Sequence, residues 1–219
     1  MIPDPYIPEQ VVDPGDFVGR CEEIENFKTF LDFSIKSKPR NIAIIGDWGI
    51  GKTALLRKFE DIAIQNDSPS ARFDVRKDMS LLEFQQRLLL EVKTALSLHE
   101  KLSVKAKEFL SSFDVSMGYA GISVKRERDR TIDFRQKLLE MWNGLRDSVP
   151  AVLVMLDNAE GLKQIPGANE ELRNIFQRLS EYDCKYVIAG KPDLFAGITS
   201  IYEPFARFFN FIEVQRYTL

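Results

Sequence analysis

Histidine is nearly missing from this chain: His99 stands alone among 219 residues. That excludes catalysis by paired imidazoles and any histidine-rich metal site. Cysteine is almost as scarce. Cys21 and Cys184 lie far apart with no metal-ligand spacing, so both are expected to be reduced thiols. No apolar run reaches the roughly 18 residues that a membrane-spanning helix needs. The opening Met1-Ile2-Pro3-Asp4-Pro5-Tyr6 also lacks the basic and apolar regions of a signal peptide, so a cytoplasmic protein without a membrane partner is expected. A basic excess is missing too. With 30 Lys and Arg against 33 Asp and Glu, the net charge of −3 argues against a broad non-specific nucleic-acid surface, though not against a local basic patch. What is present, 44% apolar and 29% charged residues, is enough to bury one globular core with trimmings.

One stretch organises the rest. Asn41-Ile42-Ala43-Ile44-Ile45 is a short apolar run, and Gly46-Asp47-Trp48-Gly49-Ile50-Gly51-Lys52-Thr53-Ala54 follows it, with glycine, four residues and then Gly-Lys-Thr. This spacing fits a phosphate-binding loop. Glycines let the backbone curl so that N–H groups converge on phosphate oxygens, and the helix that opens near Gly51 adds its positive end. Lys52 is expected to reach the β- and γ-phosphates, and the Thr53 hydroxyl to hold Mg²⁺. The setting agrees, because Leu55, Leu56, Phe59 and Ile62 recur at helical spacing after the loop.

A second apolar run, Ala151-Val152-Leu153-Val154-Met155-Leu156, ends in Asp157. Such a run reads as a buried parallel strand that delivers a carboxylate to the sheet edge where ligands bind in open α/β folds. Asp157 is expected to share the metal with Thr53. Asn158 comes next. An amide hydrogen-bonds water but takes no proton, so Asn158 supports geometry without base catalysis. Glu160 is either a substitute base, if the backbone bends, or a solvated glutamate at a helix start.

Around these two motifs the chain reads as alternating strands and helices. Residues 1–16 carry Pro3, Pro5, Pro8 and Pro14 and read as an extended arm. A helix follows with Ile24, Phe27, Leu31 and Ile35 on one face. Arg72 to Arg76 reads as a second strand. Ser80-Leu81-Leu82-Glu83 has the form of a capping box and opens a helix through about Leu98, with Phe84, Leu88, Val92 and Ala95 on its inner face. A short helix follows from about Ser103 to Ser112. Alternation through Val115, Met117, Tyr119, Ile122 and Val124 predicts a β-hairpin at about 113–126. In Lys125-Arg126-Glu127-Arg128-Asp129-Arg130 the acidic residues interleave with the basic ones, which favours a solvated helix start over a nucleic-acid contact. The helix bearing Phe134, Leu138, Trp142 and Leu145 comes next. Leu172, Ile175, Phe176 and Leu179 mark a further helix face, Cys184 to Gly190 the fourth strand, and Phe205 to Val214 the approach to a fifth.

With Asp16-Phe17-Val18-Gly19-Arg20 and acidic residues ahead of the first helix, the phosphate loop after it and Asp157 downstream, the chain resembles the AAA+ ATPases. Within them it is most similar to the archaeal and bacterial ATPases related to the origin-recognition initiators and to the signal-transduction ATPases with numerous domains. The resemblance runs from about Asp16 to Leu219, and it implies that Phe17, Val18 and Arg20 lie beside the adenine or ribose. Phe17 and Val18 read otherwise as core residues closing the first helix. It also implies that the residue after the fourth strand, Lys191, approaches the γ-phosphate, and that Arg207 reaches a neighbouring subunit's nucleotide. Both read otherwise as surface cations.

The expected architecture is an α/β three-layer sandwich, a mostly parallel five-stranded sheet with helices on both faces and a hairpin insertion. By resemblance its strand order is 5-1-4-3-2. The domain plan is the arm at 1–16 and a nucleotide-binding core at 17–219, with the helical lid and C-terminal domains of the family absent. ATP or ADP with Mg²⁺ is the expected ligand, since no Asn-Lys-x-Asp guanine-reading motif occurs. A protein partner or self-assembly is expected. DNA handling rests on family analogy and the 125–130 charge run.

Overall fold

The computed structural model describes residues 19–36, 41–115, 127–145, 147–149, 152–168, 170–171, 184–190 and 209–216, with backbone alone for 33–36, 127–133 and 184–190. In chain order the elements are α1 (Cys21–Lys36), β1 (Asn41–Ile45), α2 (Lys52–Gln65), β2 (Ser70–Asp74), α3 (Leu81–Ser97), α4 (Val104–Ser112), α5 (Glu127–Leu145), β3 (Val152–Asp157), a 3₁₀ helix (Ala159–Gln164), β4 (Cys184–Gly190) and β5 (Phe209–Glu213).

The five strands form one sheet in the order β2-β3-β4-β1-β5, and every neighbouring pair is parallel. This is the 5-1-4-3-2 order that the resemblance implied. All strands therefore end at one edge, and the loops leaving that edge gather there.

Alternation along the strands divides the core into two layers. Ile42 and Ile44 of β1, Leu153 and Met155 of β3 and Ile212 of β5 pack with Phe27, Phe30 and Leu31 of α1 and with Leu55, Leu56 and Phe59 of α2. Phe27 and Phe59 stack nearly parallel, with ring centroids 4.0 Å apart. The opposite side of the sheet, with Ala43, Phe73, Val152, Val154 and Leu156, meets Phe84, Leu88 and Val92 of α3, Leu110 of α4 and Phe134, Leu138 and Trp142 of α5. Both faces of the central strands are covered, which is why these strands read as unbroken apolar runs.

Most elements begin and end within a few residues of expectation. β2, expected over 72–76, is found at Ser70–Asp74. Its pairing with β3 starts early, since Leu153 N–H donates to the Pro69 carbonyl and Ser70 stands opposite Leu153. Ala95 of α3 is partly buried and packs against this core, and Leu96 is buried in it as well. The Ser80 hydroxyl accepts from Glu83 N–H as the capping box requires, but the Glu83 carboxylate is engaged by Arg76 at 2.6 Å.

Residues 1–18, 116–126 and 172–183 lie outside the described residues, and with them the extended arm, the hairpin beyond Val115 and the helix face starting at Leu172. At the base of the expected hairpin, Lys93 of α3 donates to the Phe113 carbonyl at 2.6 Å and Lys137 of α5 to the Asp114 carbonyl at 2.8 Å. Among the described residues no helix is long and apolar enough to cross a membrane.

Candidate nucleotide site

Two turns at the C-terminal edge of the sheet build the site: the loop from β1 to α2, and the turn from β3 into the 3₁₀ helix. Gly46 leaves β1 under crowding. A Cβ there would stand 2.9 Å from Ile50 Cγ2 and 2.9 Å from the Val214 carbonyl, because the chain leaving β5 runs beside the loop. Gly49 and Gly51 are different. Neither is crowded, but both hold left-handed backbone, with φ 76° and 95°, which side chains disfavour.

Gly51 caps α2 without a side-chain hydrogen bond, and the first helical bond runs from Leu55 N–H to the Gly51 carbonyl at 2.9 Å. The N–H groups of the first turn of α2 thus point out of the start of the helix. Lys52 Nζ donates to the carbonyls of Gly46 at 2.8 Å and Asp47 at 2.7 Å, which holds the ammonium across the loop. Asp47 and Trp48 are exposed on the loop's outer side, with Trp48 85% accessible, and Arg216 lies 4.0 Å from the Asp47 carboxylate. Ile50 is half-buried, and its carbonyl accepts from Arg20 at 3.3 Å.

Arg20 reaches the loop from a sharp turn. Gly19 and Arg20 both take positive φ, 82° and 56°, and the guanidinium also pairs with Glu23 at 3.3 Å. The sequence pointed to Arg20 without showing that it braces the loop backbone. Phe17 and Val18, expected beside the base, lie outside the described residues, as do Lys191 and Arg207.

The second turn begins at Asp157, whose side chain is buried at the end of β3. Its carbonyl accepts from Val75 N–H at 2.9 Å, and its Oδ1 accepts from Asn158 N–H at 3.0 Å. Rows of paired residues cross three strands here, Met155–Val187–Ile42 and Leu156–Ile188–Ala43. One step on, Asp157 lies in the row of Ile44, just before the loop leaves β1. With β4 between them, the β1 and β3 axes are about 10 Å apart, twice the ordinary strand spacing.

Asn158 takes left-handed backbone, φ 50°, and turns the chain into the 3₁₀ helix. Its amide donates to Asp74 Oδ1 at 2.6 Å. Gly161 brings that helix onto the chain just after β2, since a Cβ there would meet the Val75 carbonyl at 2.6 Å. Glu160, in the first turn, has its Oε2 buried.

These residues fit a magnesium nucleotide. Uncapped amides at a helix start and a loop-held ammonium suit phosphate oxygens. Among the described residues no cluster of three carboxylate, histidine or cysteine side chains could hold a metal by itself. A magnesium ion on a nucleotide needs only one or two protein ligands beside phosphate and water, and Thr53 and Asp157 are of that kind.

A family profile described as an AAA domain matches residues 35–196, which takes in both turns. The chain belongs to this family. Solved structures share the AAA fold. The ORC1 protein of Aeropyrum pernix, solved in complex with DNA, is 16% identical with a TM-score of 0.59 over 93% of this chain and 47% of its own. Cdc6p of Pyrobaculum aerophilum is 17% identical with a TM-score of 0.59 over 97% of this chain and 48% of its own. The ORC2 protein of Aeropyrum pernix, solved as ADPNP-ADP complexes, is 14% identical with a TM-score of 0.59 over 94% and 50%. At these identities the likeness is one of fold, and the AAA domain described here spans about half the length of each. A comparison with curated proteins found no match.

The sequence did not single out Asp74, which lies beside the turn after β3. It stood inside an expected strand, and only the register with β3 brings it to the edge beside Asp157.

Proposed function

We propose that this chain binds ATP with Mg²⁺ at the Gly46–Thr53 loop and hydrolyses it to switch a partner. The observation that carries this reading is the loop itself: left-handed Gly49 and Gly51, an uncapped α2, Lys52 held across the loop, and buried Asp157 at the same sheet edge. The loop amides and the start of α2 bind the phosphates. Lys52 meets their charge, and Thr53 and Asp157 would hold the magnesium ion. Bound there, Mg²⁺ supplies further neutralisation of phosphate charge. Phosphoryl transfer depends mostly on positioning and electrostatics of this kind. The nucleotides named with the Aeropyrum pernix ORC2 structure support ATP as the ligand class. Arg20 sits where it can transmit the loop's state to α1, being bonded to both Ile50 and Glu23.

The partner is read as a protein or a second copy of the chain. The net charge of −3 gives little support to a DNA surface, and the DNA in the ORC1 structure belongs to that protein. A second reading, a regulatory switch with little turnover, draws on Asn158. It stands directly after Asp157, where a carboxylate would serve as base, and its amide is tied to Asp74.

Calorimetry of ATP and ADP with Mg²⁺, on the parent and on Lys52→Ala, tests the reading. Hydrogen bonds to charged groups are worth about 1.5–3 kcal/mol, so affinity is expected to fall about 10- to 100-fold in the variant. Absence of binding in the parent would overturn the reading. Binding with no phosphate release over hours would select the low-turnover switch.

A further inference from the structure

We propose that Asp74 is the proton acceptor of this site and that Asn158 is its positioning partner, an inference that rests on the ATP-hydrolysis reading above. Hydrolysis needs a group to take a proton from the attacking water, and the β3 turn does not offer an evident one. Asp157 is buried and its Oδ1 already accepts from Asn158 N–H. Asn158 has no proton-accepting group at neutral pH. Glu160 has its Oε2 buried, in a helix pressed through Gly161 onto Val75, just after β2.

Asp74 differs from all three. It ends β2 directly opposite Asp157, is exposed, and carries a full carboxylate to the ligand edge. Its Oδ1 accepts from Asn158 Nδ2 at 2.6 Å, and among the described residues its Oδ2 makes no hydrogen bond. The left-handed backbone of Asn158 turns that side chain back across the strand gap. With one N–H committed to Asp74, the amide keeps its carbonyl oxygen and second N–H for water. The two tasks of orienting water and taking its proton are here divided between adjacent strands.

In the step, the water oxygen forms a bond to the γ-phosphorus. The bond from that phosphorus to the β–γ bridging oxygen breaks, and its electron pair stays on ADP. A water proton passes to Asp74 Oδ2 and then to solvent, with which Asp74 is in contact.

Asp74→Asn separates chemistry from structure. Its amide oxygen still accepts from Asn158, and the position is exposed, so a merely structural role predicts unchanged turnover. As proton acceptor, its loss is expected to lower the rate of phosphate release at saturating Mg-ATP about 100-fold or more, with ATP affinity by calorimetry unchanged. Asp74→Glu, which keeps the carboxylate, is expected to retain more turnover than Asp74→Asn, and Glu160→Gln to remain near the parent. Parental turnover in Asp74→Asn, the loss falling on Glu160→Gln, or a parent that binds ATP and releases no phosphate would each overturn the inference. A parent that binds no ATP would overturn the reading of the site itself.

Discussion

Gly46, Gly49 and Gly51 look alike in the motif, yet different forces require them. Gly46 is required by the Val214 carbonyl and Ile50, and Gly51 by its left-handed backbone. Gly46→Ala is therefore expected to lose about 1–3 kcal/mol through overpacking against backbone that cannot yield cheaply. Gly51→Ala loses about 1–2 kcal/mol through conformational strain. Asparagine separates the causes, because it tolerates left-handed backbone. Urea denaturation should show Gly51→Asn milder than Gly51→Ala, and Gly46→Asn no milder than Gly46→Ala. Equal behaviour at the two positions would remove the distinction.

Among the elements, the helix starts show which local signals survive tertiary packing. Ser80 and Ser103 each accept from a backbone N–H three residues on, at 3.1 and 3.2 Å. Replacing either by alanine is expected to cost about 1 kcal/mol. Glu83 belongs to the same sequence signature but pairs with Arg76, and both side chains are about half exposed. An exposed pair of this kind is worth roughly 0–1 kcal/mol. Glu83→Ala should thus be milder than Ser80→Ala in chemical denaturation, whereas a full reciprocal capping box would make the two similar. At α1 and α2 the Phe27–Phe59 stack ties two helices into one layer under the phosphate loop. Phe59→Ala is expected to cost about 3–5 kcal/mol as a buried aromatic deletion, and a double-mutant cycle with Phe27→Ala should show coupling.

For the whole molecule, the layer of α3, α4 and α5 carries a charge at depth. Arg135 of α5 grips buried Glu171 with two hydrogen bonds, at 2.9 and 3.2 Å, joining α5 to the segment after the 3₁₀ helix. Burial pushes the Glu171 carboxyl above its ordinary value, and the Arg135 contact only partly opposes this. The folded protein then holds the proton more tightly than the unfolded chain. Glu171's contribution to stability is fully present below the ordinary glutamate pKa and is lost as pH rises through the raised folded value. Urea melts across that window should show stability falling with pH in the parent, and that leg should flatten in Glu171→Gln.

At this same scale the division between sequence and tertiary structure becomes visible. Apolar runs and helical periodicity are local, set by which side chains avoid water, so the chain alone determined the described strands and α-helices to within a few residues, the phosphate loop and the place of Asp157 as a strand-end carboxylate. The all-parallel sheet follows from strands alternating with helices. Register is not local. A strand's pairing depends on a partner far along the chain, and that is why β2 begins two residues early and why Asp74 passed for an ordinary strand residue until it stood opposite Asp157. The brace from Arg20 to Ile50 and the bond from Asn158 to Asp74 join residues 30 and 84 positions apart. Only tertiary structure, by stacking strand ends at one edge, decided those contacts.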